Sequence, residues 1–384
     1  MHKHGGDVYQ YPNFTDFSAN INLLGTPPKV LEQAKSAVDG ILHYPQPGSG
    51  RLCRAVAELE QVKPEQVICG NGAADVIFSL ALAEKPRQAL LFAPTFQEYE
   101  QALRSVGCGI RREYLRPEQG FHLQEENLCS ITSEIDLVFF CNPNNPTGIL
   151  TDRGMLKRLA DRCRDVGAVL AVDECFLDFV SSGQDGDSPA SYSMKEYLNH
   201  YPDLFIIKAF TKTFGMPGLR LGYGLCGNEA RLAGMREATQ PWSVSVPAQE
   251  AGIAAAAEKS FLEETRRALE TEKSFLLEHL LKYRPASGAF EASEKENRIL
   301  SLPERMAGIG AEEQFFIRIY GHAANFIFFR GPKGLAQRMK SYGILIRDCS
   351  NFPGLEEGWY RIAVRPRREN EHLLKVLEEI RNSI

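Results

Sequence analysis

No long run of lysine or arginine occurs in this 384-residue chain, and its 44 basic residues are outnumbered by 49 acidic ones, for a formal net charge of -5. That excludes the electrostatic footprint that nucleic acid or an anionic membrane surface would require, so a small-molecule partner is expected. Long apolar segments are missing too. The opening Met1-His2-Lys3-His4-Gly5-Gly6 lacks the hydrophobic stretch of a signal peptide, and the alanine-rich stretch 251–257 is too short, with flanks too polar, to span a bilayer. Cytoplasmic residence is the expectation. The nine cysteines are odd in number and contain no Cys-x-x-Cys pair, and Cys69, Cys141 and Cys226 sit in apolar runs where a thiol behaves as a small hydrophobe. Neither a structural zinc, nor any other metal site, nor a disulfide framework is expected, and no internal repeat or low-complexity tract is present.

What the chain does have is ordinary globular material: 43% hydrophobic and 24% charged residues, over a length sufficient for two domains. Apolar runs at 88–92, 136–141, 168–172, 204–210 and 221–226 read as buried parallel strands, with helical spacing at 76–83, 96–106 and 155–166 between them. Residues from about 65 to 245 therefore read as one open α/β sheet. A long helical segment from about 260 to 282 then leads to strands at 325–329, 344–347 and 360–364 and a charged amphipathic helix over 369–383, the pattern of a smaller α+β domain. The polar, poorly periodic stretch 291–316 reads as a surface insertion.

Four segments fall at the ends of predicted strands, where an open α/β sheet places its ligands. Gly70-Asn71-Gly72-Ala73-Ala74-Asp75 opens a helix, and its small residues would let a phosphate approach the free amides of the first turn. The same residues also suit a plain strand-to-helix turn. Cys141-Asn142-Pro143-Asn144-Asn145-Pro146-Thr147-Gly148 fixes backbone angles with two prolines and can aim Asn145 inward, its amide able to donate to a phenolate oxygen; a rigid turn is the bland reading. Asp173, in Val172-Asp173-Glu174-Cys175-Phe176, is an acid at the end of a buried strand. Beside a pyridine nitrogen it would keep that nitrogen protonated; elsewhere it would be a helix cap or a surface acid. The fourth is Ala209-Phe210-Thr211-Lys212-Thr213-Phe214-Gly215-Met216-Pro217-Gly218-Leu219-Arg220. A lysine attacks an aldehyde only when its ammonium is destabilised by lost solvation or a neighbouring cation, and Arg220 could be that cation; Thr211 and Arg220 also suit a bound phosphate. Tyr99, after Pro94-Thr95-Phe96, could stack on a planar cofactor or pack in the core.

The order of these segments resembles the fold-type I aminotransferases, above all their histidinol-phosphate aminotransferase branch, and the likeness covers nearly the whole chain. Within that branch it is similar to the threonine-phosphate decarboxylases, through His4-Gly5-Gly6, the stretch from Asp16 to Asn22, Tyr44-Pro45, Pro241-Trp242-Ser243-Val244, the stretch from Ile344 to Leu355 and that from Tyr360 to Arg365. The resemblance implies an α/β fold-type I architecture, with a large domain built on a mainly parallel sheet (44–258), a smaller α+β C-terminal domain (259–384, carrying the 291–316 insertion) and an N-terminal arm (1–43) packed on the small domain. It implies pyridoxal 5'-phosphate as cofactor: Lys212 as the Schiff-base lysine, Asp173 on the pyridinium, Asn145 on the ring hydroxyl, Tyr99 stacked, and Gly72, Ala73, Ala74, Thr211 and Arg220 around the cofactor phosphate. It further implies a homodimer with shared sites in which Tyr44 reaches the neighbouring subunit's cofactor phosphate. Asn20 and Arg361 would engage a substrate carboxylate, and His4 and Arg347 the phosphate of a phosphorylated amino acid. Residue type alone leaves open which arginine takes which anion.

Three positions depart from the branch pattern. Phe176 stands where many aminotransferases carry a tyrosine, Ser245 where an asparagine often follows Trp-Ser-Val, and Ala209 where a hydroxyl is frequent. The expected reaction is decarboxylation of L-threonine O-3-phosphate, serine phosphate being a possible second substrate, against transamination of histidinol phosphate or a non-catalytic protein that keeps the fold.

Overall fold

A computed structural model describes residues 5–181, 189–283 and 315–383. His4 and nearly all of 291–316 lie outside the described residues.

The centre is a seven-stranded sheet in the order Val67–Gly70, Gly222–Cys226, Leu204–Ala209, Val169–Asp173, Leu137–Cys141, Gln88–Ala93, Gly109–Tyr114. Its inner strands are uniformly buried because helices cover both faces. Along Leu137–Cys141, Val138 and Phe140 enter one core while Leu137, Phe139 and Cys141 enter the other, so both faces of the pleat are apolar. The crossover helix Arg153–Val166 has conventional ends. In Arg153–Val166, Asp152 accepts from the Met155 amide at 3.0 Å and Gly167 closes the helix at φ 76°.

One strand runs opposite to the expected direction. Gly222–Cys226 is antiparallel to both of its neighbours. The connection from Leu204–Ala209 holds only the one-turn helix Phe210–Thr213 and the 3-10 turn Pro217–Leu219, too little chain for the full crossover that a parallel return requires. Gly109–Tyr114, absent from the sequence-based strands, is a sheet edge whose charged Arg-Arg-Glu core hides the apolar signal.

The C-terminal unit is an antiparallel sheet ordered Arg347–Asp348, Trp359–Ala363, Phe326–Arg330, Arg318–Gly321, backed by the helices Lys259–Leu280 and Arg367–Asn382. Thr15–Asp16 pairs in parallel with Ile344–Leu345, which ties the chain's start to this unit. Beyond Asp16, the Asn22 amide donates to the Lys212 carbonyl at 3.3 Å and its side chain donates to the Thr213 carbonyl at 2.7 Å, seating the start of the chain on the Phe210–Thr213 turn. Among the described residues no helix is long and apolar enough to cross a membrane.

Candidate active site

At the carboxyl edge of the parallel strands, under the C-terminal sheet, lies a cavity of about 200 Å³. Ten of the sequence-selected residues line it: Asn20, Ala73, Ala74, Asn145, Asp173, Thr211, Lys212, Arg220, Arg347 and Arg361. Asp173 ends the strand Val169–Asp173, and Lys212 sits on the turn that follows the neighbouring strand. Strand register brings them together, and the Asn142 amide, donating to the Asp173 carbonyl at 2.8 Å, joins the Asn-Pro motif to the same edge.

Lys212 lines this cavity and is half-buried. Lost solvation lowers its pKa to about 8, with the Arg361 guanidinium the second cause and Arg220 a weaker one. The cation expected to act on the lysine is therefore supplied chiefly from the C-terminal sheet and only secondarily from the lysine's own loop. Asp173 is held differently. Burial raises its pKa, opposed by hydrogen bonds to its charged form: the Cys175 amide donates to Oδ1 at 2.9 Å and the Tyr99 hydroxyl to Oδ2 at 2.6 Å.

Tyr99 is thus bonded to Asp173 within the core. Its ring is fully buried, lies parallel to Phe139 with centroids 4.7 Å apart, and is not part of the cavity wall. Phe96 is on that wall, with Phe176 and Phe352, and stands edge-on to Tyr99 at 5.5 Å. The helical spacing from residue 96 would place 96 and 99 on one face. The helix begins at Glu98 with Gln97 as its N-cap, so Phe96 stands in the preceding loop. The Pro94-Thr95-Phe96 lead-in was the available signal. Tyr99→Phe is expected to lose one hydrogen bond to the Asp173 carboxylate, raising the pKa of that carboxyl further. The acid limb of the kcat/KM profile should move to higher pH and kcat fall about tenfold, with cofactor retained; an unmoved acid limb counts against this coupling.

The helix Ala73–Glu84 starts at the cavity wall. Gly72, at φ 87°, precedes it, and a β-carbon there would lie 2.6 Å from Nη2 of Arg220. A side chain at this position would displace the Arg220 guanidinium. These residues, with Thr211, form a cradle whose donors and positive charge fit a phosphate monoester, and the buried acid 173 and amine 212 fit a pyridine ring and its aldehyde. Ser245 caps the helix Val246–Ala257, accepting from the Ala248 amide at 3.4 Å, which accounts for a serine at that departure. Phe176 lines the cavity, edge-on to Phe326, and Ala209 lines it as well. Tyr44 is elsewhere: it is 80% exposed and packs on Trp242 at 4.7 Å.

Arg347 and Arg361 are direct partners across adjacent antiparallel strands, and both line the cavity. They are 8% and 7% exposed, and among the described residues neither forms an ion pair. Arg361 donates through Nη1 to the Asn145 amide oxygen and through Nη2 to the Ser18 carbonyl at 3.1 Å; Asn20, its amide oriented by its partners, accepts from Nε and Nη1 at 3.2 Å. Burial lowers the pKa of both, Arg361 to about 10 with Arg347 contributing, so both stay charged at neutral pH. Like charges directly opposed on one sheet face are unfavourable, and the hydrogen-bond partners of both guanidinium groups are neutral among the described residues, an arrangement suited to two anionic groups or one dianion.

A parallel-centred α/β sheet with a buried lysine–aspartate pair at its carboxyl edge and a phosphate cradle at a helix start defines a class of pyridoxal-phosphate enzymes. The chain belongs to the aminotransferase class I and II family, whose model matches residues 12–380; its cofactor is pyridoxal 5'-phosphate. It is 33% identical over 392 residues to the threonine-phosphate decarboxylase of Salmonella typhimurium, covering 99% of this chain and 97% of that protein. The histidinol-phosphate aminotransferase structure from Clostridium acetobutylicum superposes with a TM-score of 0.80 at 26% identity, covering 96% of this chain and all of that one. That of Sinorhizobium meliloti, solved with pyridoxal-5'-phosphate, shares the fold at a TM-score of 0.75 and 19% identity, covering 95% and 90% of the two chains.

Proposed function

We propose that this enzyme decarboxylates L-threonine O-3-phosphate to (R)-1-aminopropan-2-yl phosphate, a step of cobamide biosynthesis. The observation that carries the reading is the pair Arg347 and Arg361, buried, charged, in no carboxylate ion pair among the described residues and facing the cavity that holds Lys212. A substrate with a carboxylate and a phosphate on neighbouring carbons supplies the two anions this pair calls for. The identity to the Salmonella enzyme supports the same substrate class.

Bound pyridoxal phosphate supplies an electron-accepting ring conjugated to the substrate nitrogen. The chain's residues determine which bond at Cα is weakened. Arg361 with Asn20 would hold the carboxylate, and Arg347 with His4 the substrate phosphate, and gripping both ends would fix the orientation of the carboxylate bond at Cα. The carboxylate so held would be the group lost as carbon dioxide. Lys212, with a pKa of about 8, or a water would then return a proton to Cα. Asp173 would keep the ring nitrogen protonated, Phe96 would cover the ring in place of Tyr99, Asn145 would face the ring oxygen, and Ala73, Ala74, Thr211 and Arg220 would hold the cofactor phosphate. In this reading the enzyme is a homodimer, and the exposed Tyr44 reaches its neighbour's site.

Incubation of the purified protein with threonine phosphate, serine phosphate, or histidinol phosphate plus 2-oxoglutarate, with product masses measured, tests the assignment. Aminopropanol phosphate and carbon dioxide from the first substrate are expected. Glutamate formed only from the third would establish transamination and overturn the proposal.

A further inference from the structure

Arg347 reaches the cavity through a chain of neutral contacts that begins on the other sheet unit. Its Nη1 donates to the Asp348 carbonyl at 2.7 Å and its Nη2 to Oδ1 of Asn351 at 2.9 Å, and its guanidinium lies over the Phe352 ring at 5.1 Å. Asn351 is bonded twice to Gln97: its Nδ2 donates to Gln97 Oε1 at 3.1 Å, and Gln97 Nε2 donates to the Asn351 carbonyl at 2.5 Å. Each amide fixes the direction of the other, since turning either would set donor against donor. Gln97 follows the strand Gln88–Ala93 of the seven-stranded sheet, whereas Asn351 follows Arg347–Asp348 of the C-terminal sheet. Gln97 is 7% exposed and lines the same cavity as Lys212, Glu98 and Phe352.

The chemistry of these partners matters. A carboxylate beside Arg347 would orient it equally well but would cancel its charge, and Glu98 is on the same wall. Amides orient a guanidinium and leave its charge for the ligand. An untethered arginine also loses side-chain entropy when a ligand fixes it, a cost that prior tethering removes.

We propose that Gln97 is a positioning residue for substrate selection: acting through Asn351, it holds Arg347 against the cavity so that the substrate's phosphate is distinguished from a bare hydroxyl. This rests on the reading of Arg347 as the phosphate-facing group. The test uses the holoenzyme and its variants Gln97→Ala, Asn351→Ala and the double variant, with retention of the bound-cofactor absorbance as the check of folding. Expected are a KM for threonine phosphate raised about tenfold in each single variant with the loss in KM rather than kcat, and an unchanged inhibition constant for unphosphorylated threonine. The double variant should be no worse than Asn351→Ala alone, as one chain of contacts requires. The rise in melting temperature on adding inorganic phosphate should shrink in parallel. Gln97→Glu, which keeps the length but loses the Nε2 donor and adds a negative charge, should impair threonine phosphate more than Gln97→Ala. Unchanged KM in Gln97→Ala, equal losses for threonine and threonine phosphate, or additive losses in the double variant overturn the proposal. A wild-type enzyme that binds threonine as tightly as threonine phosphate overturns the underlying reading of Arg347 instead, and the proposal with it.

Discussion

Lys212→Met is expected to abolish turnover, by at least about 10⁴-fold, because no other amine lines the cavity among the described residues to take up the aldehyde or return a proton to Cα. Borohydride reduction followed by peptide mapping should label residue 212 in the wild-type protein and leave the variant unlabelled. The same substitution has a pH signature in the cofactor-free chain. With a folded pKa of about 8 against an ordinary value of 10.5, the amine is neutral in the native state and charged in the unfolded state between those pH values. The unfolded state then binds more protons, so this lysine makes native stability rise as pH rises through the window. Below pH 8 the penalty of a buried ammonium is fully present. The methionine variant, free of that penalty, should melt higher than wild type at pH 7, and the gap should close towards pH 10. A constant gap across this range would show that the buried amine is not destabilised.

Asp173→Asn is expected to lower kcat by roughly 10² to 10³, since an opposite charge at hydrogen-bonding distance is worth about 1 to 3 pKa units to the ring nitrogen it faces. The shape is conserved, and the amide oxygen can still accept from Tyr99 or from the Cys175 amide, so folding and cofactor retention should survive. Stability should respond in a defined direction. Burial raises the Asp173 pKa above its unfolded value, so in the cofactor-free protein this carboxyl contributes a loss of stability as pH rises from the unfolded to the folded pKa. The asparagine variant should lack that contribution. A variant retaining more than a tenth of wild-type turnover would remove residue 173 from the role of charge partner.

Much of the fold was legible because the signals are local. Buried strands at 137–141, 169–173 and 204–209 are runs of apolar residues bounded by turn chemistry, and the helices between them carry apolar positions at helical spacing. The direction of Gly222–Cys226 was not legible: its composition is that of a buried strand in either orientation, and only the shortness of the connection decides it. The charged edge strand Gly109–Tyr114 escaped for the converse reason, since an edge needs little apolar surface.

The sequence by itself determined the chemistry on offer: an amine at 212, an acid at 173, small residues at a helix start and two arginines near the C-terminus, each set in a short segment whose residue types dictate a strand end and a turn. Tertiary structure decided what faces what. It set Phe96 rather than Tyr99 on the cavity wall, made Arg361 rather than Arg220 the stronger influence on Lys212, and placed Arg347 directly opposite Arg361. Turn and strand propensities act over a few residues, whereas helix phase, strand register and the seating of one sheet on another depend on contacts between segments far apart in the chain, which no local pattern carries.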